Sequence, residues 1–341
     1  MNLRRGRIET HFLKSTALEG NPLDDPTERE IVVCLPPGYD ESRDRRYPVV
    51  ICLTGYTGSG YMLLNRSAWT PSLPERHDAL VAAGEIAPMI LVAPDAFTRL
   101  GGSQYLDSAA TGRYETHLIS EVLPFVARQF RCLPAPAGWG VMGKSSGGYG
   151  ALVQGMRHPE WFGALASHSG DSYFEYCYLP DFPKTIRAVE SRGGLHEFLS
   201  TFEAMPRKTN DAMTALNVIA MASCYSAKDP YPGPLDPDLG IDFPFDWKTG
   251  QLRAEAWERW LALDPVRMVD RHREALAGMK LVFLDCGLRD EFNLQFGARI
   301  LRDAMVAAGV RPVHEEFDDG HMNISYRFER SLHHLARALV A

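Results

Sequence analysis

Three residues far apart in the chain carry the chemistry this sequence offers: Ser145 within Gly143-Lys144-Ser145-Ser146-Gly147, Asp290 and His321. A serine hydroxyl is a weak nucleophile and needs a base to take its proton. The base in turn needs a carboxylate to fix its tautomer. In the order serine, acid, histidine, such a set performs acyl transfer through an acyl-serine. The glycines specify a turn so tight that side chains two residues before and after the serine would collide, and Gly143 and Gly147 meet that demand. Ser146 is the rival nucleophile, but Lys144 stands two residues before it, so Ser145 is preferred. A glycine-rich turn without chemistry is the bland alternative. The apolar run Trp139 to Met142 before the motif, and Tyr149, Ala151, Leu152 and Met156 after it, supply the strand, turn and helix that the catalytic reading requires.

Asp290 stands in the loop leaving the apolar run Leu281 to Asp285, at the strand end where active-site groups of open α/β sheets gather. A helix cap is its alternative role. Asp285 competes for the acid role but lies closer to the strand and reads as structural. His321 follows the run Pro312 to Phe317 and takes the general-base role. His314, His333 and His334 read as core or surface, and His168, which precedes the acid, as structural. The amide of Ser146, at a helix start, and the amide of Tyr56, in Thr54-Gly55-Tyr56-Thr57-Gly58, are the expected oxyanion donors. A phosphate loop is the competing reading of those glycines, but no Gly-Lys-Ser/Thr ending follows. Asp95, Gln104 and Tyr105 fall where a pocket wall is expected, and Tyr173, Phe174 and Tyr176 where an aromatic roof could form. Each is equally readable as packing. Lys144 either faces an anionic substrate or points to solvent.

The elements that must position these groups are legible. Residues Arg7 to Leu18 alternate in type, and Glu30 to Leu35 reads as a strand ended by Pro36-Pro37-Gly38, so the chain opens with an antiparallel edge. Short apolar runs then alternate with helical stretches: Pro48 to Leu53, Met89 to Ala93, Gly138 to Met142, Ala164 to Ser167 and Lys280 to Asp285. That pattern specifies βαβ units and an α/β fold with a mostly parallel sheet, helices on both faces. Tyr114 to Phe130 and Phe296 to Ala308 have helical spacing. Between Asp171 and Asp264 the pattern changes to crowded aromatics and punctuating prolines and glycines, read as a lid-like insertion with helices at Gly194 to Met205, Asp211 to Ser226 and Gln251 to Leu263. The expected organisation is one domain over residues 1–341 with an insertion at 171–264.

With 341 residues, 45% hydrophobic and 23% charged, the chain has ample material for one large core. A net charge of -7 offers no basic face for phosphates, which argues against nucleic acid and anionic membranes as partners. The basic start, Met1 to Arg7, lacks the apolar stretch of a signal peptide, and no run approaches a membrane span. Six cysteines scattered without CxxC spacing read as buried free thiols, which favours the cytoplasm. No cofactor or metal fingerprint is present. The expected partner is a small-molecule ester, and assembly into a homo-oligomer is left open.

Taken together, Leu35-Pro36-Pro37-Gly38-Tyr39-Asp40, Tyr47-Pro48-Val49-Val50, Thr54-Gly55, Gly143 to Leu152, Asp290 and Gly320-His321 resemble the esterase family that includes esterase D, S-formylglutathione hydrolase, enterochelin esterase and feruloyl esterases. The resemblance covers most of the chain outside the insertion. It implies an α/β-hydrolase fold, acyl-serine chemistry and no cofactor. This chain departs from the family in having Thr54-Gly55 where His-Gly is usual, and Lys144 and Ser146 beside the serine. The resemblance implies a carboxylesterase acting on a small or aryl ester. The alternatives are a thioesterase of the S-formylglutathione hydrolase kind, an acyltransferase, and a binding protein on a hydrolase scaffold, against which the complete set Ser145, Asp290 and His321 argues.

Overall fold

Val49–Leu53, Ile90–Pro94 and Ala164–His168 are strands in which every residue is buried. A strand with two buried faces must lie inside a sheet covered on both sides. The computed structural model describes residues 5–233 and 236–339, so Met1 to Arg4 of the basic start and Pro234-Leu235 of the expected insertion lie outside it. Eight strands form one sheet: β1 (Arg7–Lys14), β2 (Glu28–Leu35), β3 (Val49–Leu53), β4 (Ile90–Pro94), β5 (Trp139–Lys144), β6 (Ala164–His168), β7 (Leu281–Gly287) and β8 (Val313–Phe317). Their spatial order is β1-β2-β4-β3-β5-β6-β7-β8. β2 is antiparallel to β1 and to β4, and every other neighbouring pair is parallel. This is the α/β-hydrolase architecture.

Because side chains alternate along a strand, the sheet feeds two cores. Val49, Ile51, Leu53, Val92, Val141 and Leu165 face a larger one. It is completed by α2 (Ser146–Arg157), α7 (Leu294–Ala307) and the helical segments Tyr114–Thr116, His117–Val122 and Leu123–Gln129. Val50, Cys52, Met142, Ala166 and Phe283 face a smaller one, closed by α1 (Leu73–Ala82) and α8 (Phe328–Leu339). The leading strand is shorter than its alternation suggests. It stops at Lys14 because the Glu121 carboxylate takes the amides of Thr16 and Ala17 and the hydroxyl of Ser15.

Residues 171–264 form helices including α3 (Phe182–Glu190), α4 (Leu195–Phe202), α5 (Asn210–Tyr225) and α6 (Ala254–Leu261). Three lie where the sequence places them, and α3 is additional. Their aromatics form a continuous buried stack: Phe174 and Tyr225 have ring centroids 5.1 Å apart, Tyr225 and Trp260 5.1 Å, and Phe182 and Trp260 5.5 Å. The stack rests on Tyr149 of α2, whose ring lies 5.7 Å from Tyr225. Phe174, expected in an aromatic roof, is fully buried in this stack, since only there does its ring escape water. No helix among the described residues is long and apolar enough to cross a membrane.

Candidate active site

β5 runs up to Lys144, α2 begins at Ser146, and Ser145 makes the turn between them with φ 59 and ψ -128. A non-glycine residue in that region costs on the order of 1–3 kcal/mol and persists only where its surroundings enforce it. Here the Ser145 amide donates to the His168 carbonyl at 2.9 Å, and the Ser145 carbonyl accepts from the Tyr149 amide at 2.9 Å. The flanking glycines follow from contact. A Cβ on Gly143 would lie 2.3 Å from the Gly147 carbonyl oxygen, and one on Gly147 would lie 2.1 Å from that of Leu53.

Asp290 and His321 stand on two loops stitched to each other. The Leu288 amide donates to the Phe317 carbonyl at 2.8 Å and the Arg289 amide to the Asp319 carbonyl at 3.0 Å. His321 Nδ1 lies 2.8 Å from Asp290 Oδ2, and His321 Nε2 lies 3.0 Å from Ser145 Oγ. With the proton on Nδ1 facing the carboxylate, Nε2 presents its lone pair to the serine hydroxyl. Burial pushes the Asp290 carboxyl up. The hydrogen bond and charge of His321, the Phe292 amide and Ser169 outweigh it and hold the group below its ordinary value, as an anion. The backbone of His321 is fixed by its amide, which donates to Glu291 Oε2 at 2.7 Å. On the open side, the Phe292 ring meets the His321 ring edge-on at 4.8 Å.

The loop after β3 lies against the serine: a Cβ on Gly55 would be 3.3 Å from Ser145 Cβ. The amides of Tyr56 and Ser146 meet no carbonyl acceptor among the described residues. Two unpaired amides beside a serine are what a developing oxyanion needs. Tyr105 is buried, and its hydroxyl donates to the Thr54 carbonyl at 2.7 Å, so it buttresses this loop. Gln104 is buried too, with its amide Nε2 on the Tyr225 hydroxyl at 2.7 Å. Asp95, expected in the pocket wall, pairs with Arg29 at 3.0 Å.

Lys144 is half-buried, and no ion pair engages its ammonium among the described residues. Burial lowers its pKa, against the charges of Asp290, Asp171 and Glu291. Tyr173 is half-buried, its ring 4.7 Å from that of the exposed Tyr176. His168 does not reach the serine with its side chain; it is buried between Asp285 and Ser331. Two carboxylates in the site, Asp171 and Glu291, were not among the sequence candidates. Asp171 had one available signal, its place in the loop at the carboxyl end of β6; Glu291 had none. Among the described residues, no group of three or more His, Cys, Asp or Glu side chains is arranged to hold a metal ion.

Comparison with known proteins adds three findings. A model of the family described as "Putative esterase" matches residues 26–334. Among solved structures, a ferulic acid esterase superposes with a TM-score of 0.63 at 21% identity, covering 98% of this chain and 99% of that one. An S-formylglutathione hydrolase from Agrobacterium tumefaciens gives 0.60 at 16% identity over 100% and 98%. FphF, a fluorophosphonate-binding serine hydrolase of Staphylococcus aureus, gives 0.57 at 12% over 97% and 99%. These likenesses show the shared fold. No curated protein sequence matches.

Proposed function

Since the chain belongs to the "Putative esterase" family and is an ester-cleaving serine hydrolase, we propose that it is a carboxylesterase in which Ser145, His321 and Asp290 carry the reaction. The observation that carries this reading is the unbroken chain from Ser145 Oγ through His321, at 3.0 and 2.8 Å, to a carboxylate held ionised. His321 Nε2 takes the Ser145 proton as Oγ attacks the ester carbonyl. The amides of Ser146 and Tyr56 hold the oxyanion, a service worth roughly 10²–10³ in rate per donor. The imidazolium, stabilised by Asp290, protonates the leaving alkoxide. Water, deprotonated in turn by His321, releases the acid from the acyl-serine.

The substrate is a small or aryl ester. Exposed rings support the aryl option: Phe292 beside His321, and Tyr176 6.0 Å from Phe296. Six free thiols, five of them buried, support the cytoplasm as the working compartment. A fluorophosphonate probe should label the protein once, at Ser145, and Ser145→Ala should abolish both labelling and ester hydrolysis. An unlabelled wild-type protein sinks the reading. Running the hydrolysis assay with added alcohols separates a hydrolase from an acyltransferase, and a thioester in the panel tests the thioesterase alternative.

A further inference from the structure

The loop leaving β6 holds a carboxylate that the triad does not use. Asp171 is 7% exposed. Three donors converge on one of its oxygens, Oδ2: the Tyr178 hydroxyl at 2.8 Å, Gln104 Nε2 at 3.3 Å and Ser146 Oγ at 3.4 Å. Oδ1 meets no donor among the described residues. An ionised carboxylate has about four acceptor sites shared between its oxygens. With its three donors all on Oδ2, Asp171 keeps Oδ1, which retains contact with solvent, free to accept from another molecule. Lys144 reaches Asp171 only through space and forms no ion pair with it.

A second acceptor beside it is also bare. Gln104 is 1% exposed and gives its Nε2 to Asp171 and Tyr225, but its Oε1 is buried without a partner. Gln104 and Ser146 both line a cavity of ≈ 10 Å³ that also touches Gly55 and Tyr56. Gln104 and Ser146, the two partners of Asp171 in that lining, therefore border the amides assigned to the oxyanion. Burial raises the Asp171 carboxyl, the Tyr178 hydroxyl, His321 and Gln104 work against that, and Asp290 adds to it, so Asp171 lies within electrostatic reach of the catalytic pair. If Asp171 served only to hold Ser146, Oδ2 alone would suffice.

We propose that Asp171 Oδ1 and Gln104 Oε1 form a subsite for a hydrogen-bond donor, a hydroxyl or an ammonium, carried by the substrate within a few bonds of its reacting carbonyl. This rests on the esterase reading of Ser145 and narrows its substrate. The two bare atoms, Asp171 Oδ1 and Gln104 Oε1, are both acceptors, so an ester lacking the donor leaves the buried Gln104 Oε1 unpaired, and that mismatch discriminates strongly.

The test uses matched esters on the full-length protein: a 2-hydroxyacyl ester against its deoxy isostere, a 2-aminoacyl ester against the same isostere, and an alcohol with a vicinal hydroxyl against one without. Wild type should prefer at least one donor-bearing member by about tenfold or more in kcat/KM. The arm that responds shows which half of the ester carries the donor. In Asp171→Asn, the three donors on Oδ2 require an oxygen there, so the amide NH₂ takes the place of Oδ1 and the free acceptor becomes a donor. The preference should fall at least about tenfold, and an ester with a keto group in place of the hydroxyl should gain relative to both. Gln104→Leu should also reduce the preference, and it carries the test if Asp171→Asn does not fold. No preference in a wild type whose Ser145 takes a fluorophosphonate overturns the subsite. So does an equal fall for both members of a pair, which would make Asp171 a positioning residue for Ser146. An unlabelled wild type defeats the esterase reading instead.

Discussion

His168 Nε2 lies 2.8 Å from Ser331 Oγ, and the Nδ1 of the same ring lies 2.6 Å from Asp285 Oδ1. This is a second serine, histidine and aspartate chain, with spacings close to those of Ser145, His321 and Asp290. It differs in access and in what else the carboxylate holds. Ser331 is 0% exposed inside α8 and also donates to the Phe328 carbonyl at 3.0 Å. Asp285 Oδ2 accepts from Arg327 Nε at 2.9 Å, and Arg327 Nη2 donates to Glu315 Oε2 at 2.6 Å. The chain clamps β6, β7 and α8 together. Ser331→Ala should therefore leave fluorophosphonate uptake at one per chain and cost about 1 kcal/mol. Asp285→Asn, which strips Arg327 of its buried charge partner, should cost on the order of 3 kcal/mol by urea denaturation. A probe adduct on Ser331 would contradict the assignment.

Backbone contact at the elbow leads to a second expectation. A methyl on Gly147 would sit 2.1 Å from the Leu53 carbonyl oxygen and 2.6 Å from its carbon, both in the central strand β3. Neither atom can move without breaking the ladder to β5. Gly147→Ala should cost roughly 3 kcal/mol or more and slow probe labelling of Ser145. Gly278→Ala, where a Cβ meets nothing within 4 Å, is the control and should stay within about 1 kcal/mol of wild type. Equal effects of the two substitutions would remove the steric explanation of the motif.

These contrasts show what a sequence can carry. β3, β4 and β6 are legible because strands buried on both faces must be apolar throughout. The elbow is legible because a steric rule fixes its glycines, and Asp290 and His321 because chain order and strand ends place them. The Asp171 cluster is not, because it joins residues 25, 67 and 7 positions away, Ser146, Gln104 and Tyr178, through contacts that leave no spacing signature. Phe174 illustrates the same limit: an aromatic beside the site and one in the core look alike until packing separates them. α3 carries Pro183 in its first turn, where proline suits a helix, although proline elsewhere reads as a breaker.

Acid sensitivity should trace in part to Glu121. Burial works to raise its carboxyl, but hydrogen bonds from His117 at 2.7 Å, Ser15, Thr16 and the Ala17 amide bring it down to about 2. Its folded pKa lies below the ordinary glutamate value of 4.5, so the unfolded chain binds the proton first. The stabilisation is complete above 4.5 and is lost as the pH falls through about 2. His117, whose pKa burial lowers from 6.5, acts in the same direction but starts at higher pH. Glu121→Gln should lose about 2 kcal/mol near neutrality and show a shallower fall of the urea midpoint below 4.5. An unchanged acid slope would remove Glu121 as its source.

Phe292 is 46% exposed while its ring contacts His321 edge-on at 4.8 Å, a position that an aromatic residue gains nothing by occupying unless a second apolar surface covers it. Tyr176 and Phe296, also exposed, extend the same rim, and Asn293 Nδ2 donates to the Tyr176 carbonyl at 3.3 Å. An aryl group leaving from the ester would stack here, and an alkyl group of equal area would gain only burial. Aromatic pairing contributes about 0.5–1.5 kcal/mol beyond area. Phe292→Leu, which keeps the apolar bulk, should therefore raise KM for an aryl ester about fivefold relative to an alkyl ester of matched size. Because the ring also flanks His321, kcat is the control: a fall in kcat shared by both esters, with no change in their KM ratio, would mean that Phe292 orients the histidine and that the aryl group lies elsewhere.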